Sequence, residues 1–198
     1  MKILYLGPYS ELVEFLKDDK NIIYQNNNKI DENFIIKEKF DFLISYRYRY
    51  ILPAQILRHF IKSAINLHTS FLPFNRGSDP NFWSFVDGTP NGVSIHYMNE
   101  GLDKGDIIAQ EIIVFDARMH TFASSYNILQ REIQKLFKRN WFAIKNKTIV
   151  SIPQQTRGGV IGSYHKSSDK DKFMPFLVNG WNTNIAEFLD ILKQNKMV

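Results

Sequence analysis

Short apolar runs alternate with amphipathic stretches from the first residues onward, and this alternation restricts the fold more than any other feature. Lys2–Leu6 (KILYL) is a compact β-prone run closed by Gly7-Pro8. Ser10 is placed to cap a helix with Leu12, Val13, Phe15 and Leu16 on one face. Ile22–Tyr24 reads as a second strand, Asp31 as the cap of a helix carrying Phe34 and Ile35, and Asp41–Tyr46 (DFLISY) as a third strand. Pro53 suits the first turn of a helix with Ile56, Leu57 and Phe60, and Ser63–His68 is a fourth strand. Parallel neighbours need a crossover, usually a helix, so the order β-α-β-α-β-α-β predicts an α/β protein with a doubly wound parallel sheet. Ligands of such sheets bind beyond the carboxyl ends of the strands.

Further along, Asp79-Pro80 pairs a cap with a proline at the first helical position, opening NFWSFV. Val93–Met98 and Ile107–Phe115 read as two strands joined by the polar loop NEGLDKGD, and a long amphipathic helix is expected over Thr121–Lys145. Beyond Ile152 come a glycine-rich turn (TRGGVIG), the patch SYHKSSDKDK and a last helix capped by Asn184. The 198 residues, 44% hydrophobic and 23% charged, suit one main domain with a small appendage. The absence of cysteine excludes disulfides, thiolate nucleophiles and Cys-ligated metal. The net charge of +5 is scattered without a basic run, which argues against a dedicated nucleic-acid arm. The apolar run after Met1 is too short for a signal-peptide core or a bilayer span, so a cytoplasmic chain with no membrane partner is expected.

Asn66 and His68 stand two apart at the end of the fourth strand, in INLHTSFLP, and therefore on one face. A buried His hydrogen-bonded to its neighbour explains the pair, and so does half of a catalytic site. Several common catalytic and nucleotide-binding motifs do not occur. The first turn is Gly7-Pro8-Tyr9-Ser10 rather than GxGxxG, and the chain has no P-loop, HExxH or GxSxG. The five histidines lack metal-ligand spacing. If Asp103, in GLDKGD, folds back beside His68, then Asn, His and Asp converge with no Ser or Cys nucleophile. That set suits a reaction whose substrate brings its own nucleophile, such as acyl transfer to an amine.

INLHTSFLPFNRG followed by NGVSIHYMNEGLDKGDIIAQ closely resembles the N10-formyltetrahydrofolate-dependent formyltransferases. These include glycinamide ribonucleotide, methionyl-tRNA and sugar N-formyltransferases. The shared pattern is Asn-x-His, LP-x(3)-G, G-[VT]-[ST]-[IV]-H and LD-x-G-[DP]-[IV]-[IL]. The resemblance implies a Rossmann-like, mostly parallel sheet flanked by helices, with a catalytic domain over 1–150 and a short C-terminal extension, 151–198, packed on it. It implies Asn66, His68 and Asp103 as catalytic residues, with Asp106 a surface turn carboxylate. His96 is read as structural support and Ser70 as stabilising the loop after His68. The co-substrate implied is N10-formyltetrahydrofolate, with no metal. Its contacts are carried over to Tyr50, Ile51 and Leu52 in SYRYRYILP and to Leu102, Asp103 and Gly105.

Within the family, the first loop LGPYSE places Pro8 and Tyr9 where the purine-pathway enzymes carry a Gly/Ser/Asn-rich phosphate grip. Too few residues follow the long helix for the tRNA enzymes' C-terminal barrel. The sugar-nucleotide N-formyltransferases fit best, implying a nucleotide-linked amino deoxysugar as acceptor, a role in bacterial surface-polysaccharide synthesis, and a homodimer. On that resemblance FNRGSDPNFWSF is the substrate-side loop, with Arg76, Gly77, Asn81 and Trp83, and Tyr164 borders the site together with His165 and Lys166. Arg76 suits a pyrophosphate or plain solvation, and Trp83 suits ring stacking or the core. A small-amine or purine-pathway formyltransferase, a formyltetrahydrofolate hydrolase and a non-catalytic binding scaffold stay open beside this reading.

Overall fold

A computed structural model describes residues 1–154 and 162–197. The glycine-rich turn expected at Gly158-Gly159 lies outside the described residues. The elements follow the expected alternation: β1 (Lys2–Leu6), α1 (Glu11–Asp18), β2 (Ile22–Asn26), α2 (Glu32–Glu38), β3 (Phe42–Tyr46), α3 (Ala54–Leu57) and β4 (Ala64–His68). Then come a short β5 (Arg76–Gly77), α4 (Pro80–Val86), β6 (Gly92–Tyr97), β7 (Ile107–Ile112) and the long α5 (Phe122–Lys145). A short β8 (Tyr164–His165), two 3-10 segments and α6 (Ile185–Gln194) complete the described chain. The main sheet has the order β2-β1-β3-β4-β6-β7. β1 pairs in parallel with β2 and β3, and β3 pairs in parallel with β4 in a register that sets Ser45 against Asn66.

The chain divides into two compact units whose segments interleave. Unit one comprises Met1–His68, Ile95–Ala109 and Gln134–Gln154. Its inner strands β1 and β3 are nearly continuous apolar runs because both faces are covered. Leu4, Leu6 and Leu43 pack with Ile35, Ile56, Leu57 and Phe60 on one side. On another side Phe42 meets the Trp141 ring edge-on at 5.5 Å. β2 is half-exposed along its length, as an edge strand is.

Unit two comprises Thr69–Ser94, Gln110–Ile133 and Gln155–Val198. Phe82, Trp83, Phe122, Phe173, Leu177, Ile185, Phe188 and Leu192 form its core. The apolar stripe of α6 is therefore used within this unit.

Three local expectations need correction. Ser10 and Asp79 occupy cap positions, but neither side chain bonds its helix. Ser10 has helical dihedrals and Asp79 lies at φ 53°, so neither has the extended backbone that aims a cap oxygen at the first turn. The Asp79 carboxylate instead takes a 2.7 Å hydrogen bond from Lys170 Nζ. β7 ends at Ile112, short of Phe115. By contrast, Asp31 and Asn184 do cap, accepting from Phe34 N at 2.8 Å and Glu187 N at 3.2 Å.

Candidate active site

β4 ends on Asn66 and His68, whose side chains leave the strand on the same side. Unit one brings the loop after β6 to that strand end. Asn66 Nδ2 donates to Asp103 Oδ1 at 3.0 Å. His68 Nδ1 lies 3.8 Å from Asp103 Oδ2, within ion-pair range but longer than a direct hydrogen bond. His96 is nearer, with Nε2 at 3.3 Å from Asp103 Oδ1 and 3.3 Å from Asn66 Nδ2. Asn66, His68 and Asp103 thus meet, with His96 as a fourth member. His68, His96 and Asp103 are all buried.

The ring of His96 has a definable proton. Its Nδ1 sits 2.8 Å from the Tyr97 carbonyl oxygen, which only accepts, so Nδ1 carries a hydrogen. Nε2 then has two chemical states. As a bare nitrogen it accepts from the Asn66 amide, and when protonated it donates to the Asp103 carboxylate.

The loop that carries Asp103 is tightly built. Asn99 Oδ1 accepts from Gly101 N at 3.0 Å, and Tyr97 N donates to Asp106 O at 2.9 Å across the loop base. Asp103 itself has a left-handed φ of 51°, uncommon outside glycine and tolerated best by Asn and Asp. A Cβ on Gly105 would lie 1.7 Å from Tyr97 O, so only glycine fits there. Gln154 donates through Nε2 to Asp103 O at 2.8 Å and to Gly105 O at 2.7 Å. The Asp106 side chain is exposed.

The Arg47–Pro53 loop follows β3. Tyr48 OH donates to Asn28 O at 2.7 Å, and the Tyr48 and Tyr50 rings meet edge-on at 5.3 Å. Leu52 is buried, Ile51 is 74% exposed and Tyr50 is partly exposed, as is Leu102 in the Asp103 loop. Among the described residues, no group of three or more His, Cys, Asp or Glu side chains could hold a metal ion. No helix is long and apolar enough to cross a membrane, among the residues described.

In unit two, Ser70 Oγ donates to Phe74 O at 2.8 Å and Ser94 Oγ donates to Ser70 O at 2.7 Å. The segment after His68 is thereby fixed. Arg76 and Gly77 pair with Tyr164 and His165 in a small parallel ladder. Gly77 has φ 90°, and a Cβ there would meet His165 O at 2.3 Å. Arg76 Nε reaches Ser163 O at 3.3 Å. Tyr164 is exposed, whereas Asn81 and Trp83 are buried. Asn81 donates to Phe122 O at 3.0 Å and accepts from Ser125 Oγ at 3.1 Å. The Trp83 ring stacks on His165 at 3.8 Å and 6°, and His165 Nε2 lies 2.8 Å from Asp87 Oδ2. Sequence reasoning did not find the Gln154 clamp or the Trp83–His165–Asp87 stack. Both join residues far apart in the chain through single side chains, and neither leaves a periodic or local signal.

Comparison with known proteins identifies relatives of the chain. A formyl transferase family model matches residues 11–140. The formyltetrahydrofolate deformylase of Escherichia coli strain K12 is 30% identical over 121 residues, 56% of this chain and 42% of that protein. The methionyl-tRNA formyltransferase of Fusobacterium nucleatum is 37% identical over 108 residues, 52% of this chain and 34% of that protein. The chain thus matches well under half the length of these curated relatives. A solved structure, the formyltransferase PseJ from Anoxybacillus kamchatkensis, is 41% identical with a TM-score of 0.89, covering 95% of this chain and 97% of that one. It was solved in complex with UDP-4,6-dideoxy-4-formamido-L-AltNAc and tetrahydrofolate. A 4-N formyltransferase from Francisella tularensis shares the fold, with a TM-score of 0.76 at 22% identity over 87% of this chain and 79% of that one. On sequence, fold and family match together, the chain belongs to the formyl transferase family.

Proposed function

We propose that this chain transfers a formyl group from N10-formyltetrahydrofolate to the amino group of a nucleotide-linked amino deoxysugar. The observation that carries the reading is the convergence of Asn66, His68 and Asp103 at the end of β4. The 41% identity to PseJ over nearly the whole of both chains supports a UDP-linked 4-amino-4,6-dideoxy sugar as the acceptor. The same reading takes the chain as a cytoplasmic homodimer serving surface-polysaccharide synthesis, on the family resemblance.

The residues suit the donor. Tyr50, Ile51 and Leu102 offer partly exposed apolar side chains in unit one, fit to receive a flat heterocycle, beside the backbone of Leu52 and Gly105. The donor supplies an activated formyl carbon; the rest is the work of the protein. The acceptor amine attacks as the neutral base, because an ammonium has no lone pair. Asp103 takes the proton the amine gives up, directly or through one water. His68 gives an N–H donor to the carbonyl oxygen that gains charge in the transition state, and the Asn66 amide adds a second where the N–H facing His96 turns to that oxygen. The new C–N bond forms on the sugar, the bond to N10 breaks, and N10 receives a proton. Atoms balance as amine plus formyl donor giving formamide plus tetrahydrofolate.

On the acceptor side we assign Arg76 to the pyrophosphate, with Gly77 and Tyr164 as further contacts and Asn81 and Trp83 as the scaffold that holds them. The first loop argues against a ribotide acceptor. Gln25 Nε2 donates to Gly7 O and Tyr9 O, each at 3.2 Å, and the Arg47 guanidinium covers the Tyr9 ring at 5.1 Å. That arrangement presents carbonyls and an aromatic ring where a phosphate grip needs amides.

An assay of tetrahydrofolate release with a panel of nucleotide-linked amino sugars tests the reading. Release that depends on a UDP-linked 4-amino sugar is expected. Release with water alone would identify a hydrolase and defeat the proposal.

A further inference from the structure

Gln154 lies outside every motif that carries the family resemblance, yet it grips the loop that holds Asp103. It is buried, 7% exposed. Two residues before it, Ile152 bridges to Ile107, with hydrogen bonds of 2.8 Å in both directions. That bridge fixes where the Gln154 side chain starts. Its Nε2 then donates to two carbonyls that belong to one turn, Asp103 O at 2.8 Å and Gly105 O at 2.7 Å. Chemistry fixes the orientation of the amide, since reversing it would set an oxygen against both carbonyls. At these two anchored residues the backbone holds Asp103 at φ 51° and Gly105 against Tyr97 O. A carboxylate at the tip of such a turn moves with its backbone, and its contacts to Asn66 at 3.0 Å and to His96 at 3.3 Å depend on that placement.

We propose that Gln154 is a positioning residue for formyl transfer, whose two amide N–H groups lock the Asp103–Gly105 turn and thereby aim the Asp103 carboxylate. The inference rests on the reading of Asp103 as the group that takes the amine's proton. Gln154 touches neither donor nor acceptor in this scheme; it acts through Asp103. Two features make the glutamine suited to the task. Its two N–H groups on one atom serve both carbonyls at once, and its length spans the gap from the strand-like segment at Ile152. Leucine keeps the volume and loses both donors. Glutamate keeps the shape and, ionised, sets negative charge against two carbonyl oxygens.

The test is steady-state kinetics and thermal melting of Gln154→Leu and Gln154→Glu beside Asp103→Asn. A displacement of about 1 Å at a reacting group costs on the order of 100-fold in rate, so both Gln154 variants should lose kcat by about tenfold to 100-fold. KM for donor and acceptor should stay within about threefold, because ground-state binding does not use the turn's aim. Measured against the parent at the same pH, the kcat deficit of Gln154→Glu should narrow as the pH is lowered, when the protonated carboxyl regains one donor. That narrowing separates positioning from a general loss of packing, which acidification would not repair. If Gln154→Leu fails to fold, Gln154→Glu carries the same comparison. Full kcat in both Gln154 variants with Asp103→Asn inactive would overturn the positioning role alone. Full activity in Asp103→Asn would overturn this inference together with the role assigned to Asp103.

Discussion

Asp103 lies closer to His96 than to His68: 3.3 Å separates its Oδ1 from His96 Nε2, against 3.8 Å from Oδ2 to His68 Nδ1. Asn66 donates to one carboxylate oxygen, Oδ1, which His96 Nε2 also approaches, and the second oxygen faces His68. Under the function proposed above, this division suits a carboxylate that receives a proton while staying anchored. On that reading the His68 ring serves the carbonyl oxygen of the reacting formyl group.

His68→Asn tests that assignment. Loss of one donor to a developing oxyanion costs about 100-fold to 1,000-fold, so kcat should fall by an amount in this range. Calorimetric affinity for tetrahydrofolate should change little, since the ring acts in the transition state. Activity within a few-fold of the parent would contradict the mechanism.

Gly105→Ala addresses the turn. The added Cβ would meet Tyr97 O at 1.7 Å and Tyr97 C at 2.7 Å, both backbone atoms that cannot swing aside. Overpacking of this kind costs about 1–3 kcal/mol of stability. Denaturant titration should show that loss, and turnover should fall further than the stability loss explains. An alanine variant with unchanged midpoint and rate would show that the turn can relax.

Arg76→Ala separates the two substrates. A hydrogen bond to a charged group contributes about 1.5–3 kcal/mol, so KM for the sugar nucleotide should rise about tenfold or more. KM for the folate donor should not move. Equal weakening of both would remove Arg76 from the acceptor side.

Asp19 gives a stability prediction away from the chemistry. It accepts from Lys145 Nζ at 2.6 Å and from Trp141 Nε1 at 2.9 Å, joining the end of α1 to the end of α5. The Lys145 hydrogen bond, then that from Trp141, lowers its pKa from 3.8 to about 2. A depressed carboxylate pKa contributes stability that is present above the unfolded value and lost as pH falls through the folded one. The stability gap between the parent and Asp19→Asn should therefore be full at neutral pH and close between about pH 4 and pH 2. Urea midpoints across that window measure it, and a gap that persists at the acid end would contradict the clasp.

The strand-helix alternation was legible because parallel strands covered on both faces must be continuous apolar runs, as KILYL and DFLISY are. Asn66 and His68 were legible because a two-residue spacing on a strand fixes a common face. Asp103 was placed by the LDxG frame of the resemblance, but its distances were not, because they depend on a left-handed backbone at Asp103 and a clamp from Gln154. The Ser10 and Asp79 caps failed for a related reason: residue type suggests a cap, while backbone dihedrals decide whether the side chain reaches. Trp83 could be read as a stacking platform or as core. In the fold it lies in the core of unit two, with one face covered by His165.

The central claim is that the formyl carbon moves to a sugar amine with Asp103 accepting the proton. Its most direct measurement supplies donor labelled with carbon-13 at the formyl group and follows the label by NMR, with a UDP-linked 4-amino-4,6-dideoxy sugar as acceptor. The account predicts that the label appears as a formamide on the sugar in the parent protein, and that Asp103→Asn forms it at least about 100-fold more slowly. Label recovered as free formate, or formamide made equally fast by Asp103→Asn, would contradict it.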